Sequence, residues 1–292
     1  MIKIILLVLY MKRVFSYISN HILQSVQPSK IRKDINLQIN HNFKALSYEK
    51  AKDIMHTEID FIDIYGDNTL DKNIEHIFPQ SLFKNNINKA QMKSDLHNLY
   101  LCNTKLNSQR QNFKYISHED YVDNYSDHFV DTLGNEITGK EIFVKTGYMM
   151  IINKKTKKFI PTLYSRGMIS RSLAYFSIKY DLIEQLKEVI DIKTLVEWNL
   201  KDPPSKEEYH KNIISYKYQN NYNPFIIDSD LIIYAFSDMY NVNDKLLQKK
   251  KINIIDPFYS IDKLLKDISD LENEKKALTR ENKRLLKKLE NK

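Results

Sequence analysis

An α+β fold is predicted for this chain: a mostly helical domain built around a strand–strand–helix core, a small antiparallel sheet, and a C-terminal coiled-coil helix. Three observations predict it. Apolar residues recur at helical spacing through much of the sequence. The stretch from Asn73 to Tyr115 reads as a strand, a polar loop, a second strand and a helix. From Tyr259 onward, leucines recur at every seventh position.

Taken in order, the chain opens with Lys3 and an apolar run over residues 4–10, which resembles the n- and h-regions of a signal peptide. Lys12-Arg13 ends that run early and no small-x-small cleavage site follows. It is too short to cross a bilayer, so a buried or partner-facing segment is expected and no stable membrane insertion. Val14 to Ser29 fits a short helix with Phe15, Ile18, Ile22 and Leu23 near one face, closed by Pro28-Ser29. Asn42 to Tyr65 fits a longer one, which Ser47 can cap and which carries an apolar stripe of Ala51, Ile54, Met55, Ile59 and Ile62. Gly66-Asp67-Asn68 breaks the chain before the central stretch.

Beyond Tyr115, the residues His118, Glu119, Asp120 and His128 match no metal-ligand spacing and read as solvated surface. Ile137, Ile142 to Val144 and Met149 to Ile152 alternate with glycine turns, which predicts the small antiparallel sheet, ending at Lys154–Lys158. Helices are then expected over Met168–Tyr180, Leu182–Ile190 and Ile192–Leu200, the last containing Trp198. Ser205 and Glu208 have capping-box spacing and open another helix to about Tyr218, and a last short one lies near Asp230–Tyr240.

The tail places Leu264, Leu271, Leu278 and Leu285 in one heptad register, with Ile261, Ile268, Lys275, Asn282 and Leu289 at the alternate core positions. Polar residues at such core positions favour a parallel dimer of fixed register. A homodimer through residues 259–292 is therefore expected, with a solvated single helix as the alternative. A basic-zipper DNA reader is excluded, because Asp256-Pro257 separates the Lys249–Lys251 cluster from the heptads. The resulting division is an N-terminal segment (1–41), a main domain (42–245, core about 73–115), a basic linker (246–258) and the coiled coil (259–292).

The formal net charge of +8 and the isoelectric point near 9.1 point to an anionic partner, of which nucleic acid is the usual one. A Lys-rich surface with no ligand is the bland alternative. The single cysteine, Cys102, excludes an intramolecular disulfide and leans toward a reducing, intracellular compartment, with a secreted fold that needs no staples as the alternative. Its place in the apolar run Leu99–Cys102 marks it as a packing residue.

The central stretch holds the chemistry. Glu75 and His76 are adjacent, and Asn107 and Arg110 follow on the expected helix, three apart and so on one face. A histidine can accept a proton near neutral pH, while a carboxylate and an amide oxygen suit a hard divalent cation that keeps several waters. Together they meet the needs of phosphodiester hydrolysis: an activated water, a sink for developing charge, and help for the leaving oxygen. Neighbouring residues on a strand face opposite sides. Glu75 and His76 can share a site only at a strand end or bulge, for which Pro79 is a signal.

The ordered series Glu75-His76-Ile77-Phe78-Pro79-Gln80-Ser81, Ser94-Asp95-Leu96-His97-Asn98-Leu99 and Lys105-Leu106-Asn107-Ser108-Gln109-Arg110-Gln111-Asn112 resembles the endonuclease I family of non-specific nucleases. That family has a ββα-metal (His-Me finger) active site related to the His-Asn-His nucleases. Arg166-Gly167 with Arg171, Glu197-Trp198, Asp202-Pro203, Glu208 with Asn212, and Gln219 with Asn221 and Asn223-Pro224-Phe225-Ile226 resemble later family landmarks in the family's order. The resemblance spans about Ile59 to Ile233. It implies a metal-dependent, sequence-non-specific endonuclease acting on DNA, with RNA as a second substrate. His76 would be the general base, and Glu75 and Asn107 would bind one divalent metal, Mg²⁺ first, with Mn²⁺ or Ca²⁺ as alternatives. Arg110 would contact phosphate or brace the site. Asp95, His97 and Asn98 would shape the second strand, His97 being structural first and catalytic second. Tyr100-Leu101 stands where Arg-Pro is usual, Asn220 and Tyr222 where Gly and Arg are common, and Met168 where an acidic residue is usual. The loop between the strands lacks a phosphate-clamping arginine, leaving Lys84, Lys89 or Lys93 as stand-ins without the bidentate fork. The alternative is a catalytically weak or inactive nucleic-acid-binding scaffold on the same fold, dimerised by the tail.

Overall fold

A computed structural model describes residues 27–66, 71–117, 129–131, 136–137 and 150–240, all within one unit spanning Met1–Asn241. The apolar N-terminal run, most of the helix expected over Val14–Ser29, His118 to His128, Ile142 to Val144 and the heptad tail lie outside the described residues.

The site rests on a hairpin. Strand β1 (Lys72–His76) pairs antiparallel with β2 (Leu99–Asn103), so that Glu75 faces Tyr100 and His76 faces Leu99 across the ladder. Helix α4 (Thr104–Arg110) follows β2 directly and packs on β1. Its start is fixed by Asn103, whose side chain accepts from the Lys105 and Leu106 amides at 2.8 and 3.2 Å, as an N-cap should.

Among the described residues, two helices precede the hairpin. α1 (Pro28–Asn40) buries Ile31, Ile35 and Ile39 at four-residue spacing. Pro28 thus opens a helix instead of closing one, since the first helical position needs no amide donor. α2 (Tyr48–Thr57) is capped by Ser47, which accepts from the Lys50 amide at 3.2 Å. It ends well before Tyr65: Ile59 and Ile62 are fully buried, but from turns that bring Asp63 alongside Leu101 of β2. Ala51, Ile54, Met55, Ile59, Ile74, Leu96, Leu99 and Leu101 form one apolar cluster, which fastens the hairpin to α2. α3 (Lys89–Lys93) lies within the connection between β1 and β2.

The small sheet has the order β3-β7-β6-β4-β5, with β3 (Lys114–Tyr115), β4 (Phe129–Asp131), β5 (Glu136–Ile137), β6 (Ile151–Asn153) and β7 (Lys158–Ile160). It is antiparallel except where β3 runs parallel to β7. The Lys154–Lys158 run does not end it. That run turns the chain, with Lys157 at φ 54°, and returns it as β7.

Six helices complete the described fold: α5 (Arg166–Lys179), α6 (Ile183–Val189), α7 (Ile192–Lys201), α8 (Lys206–Gln219), α9 (Pro224–Ile227) and α10 (Leu231–Ala235). The capping box at Ser205 and Glu208 forms as expected. α5 is buried along its whole length, polar residues included, so each polar side chain needs an internal partner. Arg171 finds a carboxylate fork: its Nε and Nη2 donate to Glu208 at 2.8 and 2.5 Å, and its Nη1 to the Asp202 carbonyl at 2.7 Å. Gly167 lets that crossing form. A Cβ there would meet the Asp202 carbonyl oxygen at 2.2 Å, too close for any other residue.

Candidate active site

His76 is the last residue of β1, and both of its ring nitrogens are engaged. Nε2 lies 2.9 Å from the Lys93 carbonyl, an acceptor only, so Nε2 carries the proton. Nδ1 is then left with its lone pair, and the Gln80 amide stands 3.2 Å from it as a donor. A tautomer fixed through one nitrogen presents the other as a base. Burial, at 6 % exposure, pushes the imidazole down to about 4, so it is neutral at ordinary pH. Gln80 is exposed, and its side chain can move aside, whereas the Lys93 contact is backbone and holds. Tyr48 packs with its ring centroid 5.9 Å from the imidazole, and the Lys93 ammonium sits 4.2 Å over the Tyr48 ring.

Glu75 turns to the other side of the strand, as the pleat requires. Its Oε1 accepts from the Tyr65 hydroxyl at 2.8 Å and pairs with Arg110 Nη1 at 3.1 Å. Burial pushes the carboxyl up, against the pull of Arg110 and Tyr65. Asn107 is tied to the same strand by its Nδ2, which donates to the Ile74 carbonyl at 2.9 Å. That bond commits the amino end, so the amide's oxygen is the end that can serve as a ligand. A carboxylate on β1 and an amide oxygen tied to the neighbouring position of that strand are hard donors of the kind Mg²⁺ takes. Among the described residues no group of three or more His, Cys, Asp or Glu side chains forms a metal cluster, so any ion here would be completed by water.

Arg110 is turned inward. Its side chain is 1 % exposed, donates to the carbonyls of His76, Ile77 and Gln111 at 3.3, 3.0 and 2.9 Å, and stacks 4.6 Å over the Tyr115 ring. Of the two roles expected for Arg110, these contacts are those of a brace: the guanidinium is spent on the end of β1 and on Glu75. Lys84 and Lys89 are exposed on the connection between the strands, and Lys93 ends α3 beside His76.

Asp95, His97 and Asn98 lie behind the site. Asn98 clamps the chain after β1 in both directions, accepting from the Phe78 amide at 2.7 Å and donating to the Phe78 carbonyl at 3.2 Å. His97 Nε2 donates to the Asn221 carbonyl at 3.2 Å, and its ring lies 4.6 Å from Tyr175. Fully enclosed, it has no route to a substrate, and burial pushes it down to about 3. Asp95 is the hub, meeting Lys179 Nζ at 2.7 Å, the Tyr180 hydroxyl at 2.9 Å, the Gln219 amide at 3.1 Å and the Tyr175 hydroxyl at 3.2 Å. Burial alone would raise its carboxyl, but Lys179, His97 and Gln219 more than offset that and hold it at about 2.

These buried histidines predict an acid limb in stability. His97 and His76 have folded values near 3 and 4, below the unfolded value near 6.5. Between those limits the unfolded chain binds more protons than the folded one, so stability is full above pH 6.5 and falls as pH drops toward 4. The slope expected is about 1.4 kcal/mol per pH unit for each histidine. Urea unfolding between pH 7 and 4 measures it. His97→Gln should remove one proton from the slope, and stability that stays flat to pH 5 would contradict the assignment.

A strand–strand–helix unit that carries Glu75 and His76 at the end of one strand and Asn107 on the helix packed against it defines the class: an α+β protein. The chain belongs to the Endonuclease I family, whose sequence profile matches residues 29–230. The match begins one residue into α1, so that helix falls inside the family's span. No curated protein matches the chain. Among the described residues, no helix is long and apolar enough to cross a membrane.

Sequence reasoning did not single out Tyr65, Tyr48 or Lys179, nor a role for Gln80. Tyr65 and Tyr48 precede the motif and Lys179 ends a distant helix, so only the fold brings them to it.

Proposed function

We propose that this protein is a divalent-metal-dependent endonuclease that hydrolyses phosphodiester bonds in DNA, and in RNA, without sequence specificity. The observation that carries the proposal is the hydrogen bonding of His76: Nε2 is committed to the Lys93 carbonyl, and Nδ1 is met by the side-chain amide of exposed Gln80. Nδ1 takes a proton from the attacking water once the Gln80 amide swings away. Glu75 and Asn107 would hold a divalent metal, which would supply Lewis-acid stabilisation of developing negative charge. Arg110 pulls against the effect of burial on the Glu75 carboxyl and fixes the end of β1, and so acts as a positioning residue. Lys84, Lys89 and Lys93 supply phosphate contacts as point charges, which makes binding weaken steeply with salt. Tyr48, between His76 and Lys93, forms the wall of this face. The test is incubation of the purified chain with supercoiled plasmid and with RNA, in Mg²⁺ or in EDTA. Cleavage in Mg²⁺ that EDTA abolishes is expected. No cleavage under any metal would favour a binding protein on this fold.

A further inference from the structure

The connection from Gln80 to Lys93 has a peculiarity beyond its lysines: its two ends grip the two ring nitrogens of His76, Gln80 at Nδ1 and the Lys93 carbonyl at Nε2. Between those grips it is anchored by Phe83, which is buried with its ring 5.5 Å from Phe176, and by Met92, which is fully buried. The apex is a rigid turn. The Asn86 amide donates to the Phe83 carbonyl at 2.9 Å, the Asn88 amide to Asn86 Oδ1 at 2.8 Å, and the Lys89 amide to the Asn86 carbonyl at 3.1 Å. On that apex stands Ile87, 96 % exposed, a residue type that is usually buried. Exposed Lys84 and Lys89 flank it, and the whole segment contains no carboxylate.

An isolated surface isoleucine needs no explanation. One exposed on a hydrogen-bonded turn, between cations, on the segment that carries both hydrogen-bond partners of His76, has the makings of a wedge. Proteins that deform duplexes insert such apolar side chains between base pairs while cations hold the neighbouring phosphates. We propose that Ile87 enters a base step of duplex DNA, with Lys84 and Lys89 on the flanking phosphates. This rests on the nuclease reading above and adds the form of substrate: a duplex that can be opened locally. Flexible pyrimidine–purine steps would be favoured, because they unstack most cheaply. Seating of the wedge would also act on the base, since the same segment carries both hydrogen-bond partners of His76.

The test uses the full-length His76→Ala chain, in which cleavage is expected to be about 10²–10⁴-fold slower, and duplexes carrying 2-aminopurine at a TA step. Binding should raise the fluorescence as the step unstacks. Adding Ile87→Ser should remove that rise and weaken duplex binding about tenfold, the loss expected for one apolar side chain. An unchanged melting temperature in the Ile87→Ser chain shows that the fold is intact. The proposal is overturned if the fluorescence rise persists in Ile87→Ser, if His76→Ala binds duplex without any rise, or if that chain binds no duplex. It is also overturned if Ile87→Ser weakens binding to anionic vesicles and leaves duplex binding unaltered. Wild-type cleavage of plasmid with no fluorescence rise would sink the wedge alone. A fluorescence rise with no wild-type cleavage would sink the nuclease reading and leave the wedge.

Discussion

Lys179→Met is expected to destabilise the protein by about 3–5 kcal/mol, the cost of leaving a buried charge without its partner. Lys179 and Asp95 are both fully buried and 2.7 Å apart. Burial pushes the Lys179 ammonium down to about 8, against the pull of Asp95, so the pair is ionised at neutral pH. With methionine at 179, Asp95 either stays charged in an apolar surround or takes up a proton. In either case its contacts to Tyr175, Tyr180 and Gln219 are disturbed. Those contacts attach the turn before β2 to α5 and α8, so the damage passes to Asn98 and the end of β1. Urea unfolding at pH 7 measures the loss. Asp95→Asn combined with Lys179→Met should cost less than the sum of the two single changes, because the second removes the charge the first has stranded.

His76→Ala is expected to lower the cleavage rate by about 10²–10⁴-fold, the usual contribution of one general base. The effect should fall on kcat and leave KM nearly unchanged, because the lysines that hold phosphate are not touched. The ring also occupies buried space between Tyr48 and Lys93. A thermal melt of the variant is therefore needed to show that the loss is chemical. Single-turnover nicking of plasmid in saturating Mg²⁺ is the measurement.

Much of the fold was legible where the chain carries its own punctuation. Ser47, Ser205 with Glu208, and the helical spacing of Ala51, Ile54 and Met55 placed elements correctly because each acts within a few residues. Local rules failed where two roles share one residue type. Pro28 can close a helix or open one, and here it opens α1. Ile59 and Ile62 continue an apolar period after the helix has ended, because turns can bury side chains as well as helices can.

The site divides in the same way. Glu75, His76 and Asn107 were visible as a motif, and their adjacency to one strand follows from it. Which nitrogen of His76 is the base was not visible, since a carbonyl seventeen residues on decides it. Nor was the inward turn of Arg110, which depends on Tyr115 and on three carbonyls at the end of β1 and beside α4. The hub at Asp95 is the extreme case, as its cation lies 84 residues away and only packing brings it in.

The central proposal is that Glu75 and Asn107 hold the divalent ion on which cleavage depends. The most direct measurement of it is the single-turnover rate of plasmid cleavage against Mg²⁺ concentration, for the wild type and for Asn107→Ala. A saturable, one-site dependence is predicted for the wild type, with the midpoint moved to at least about tenfold higher Mg²⁺ in Asn107→Ala. A rate that does not respond to Mg²⁺, or a midpoint identical in the two chains, would contradict it.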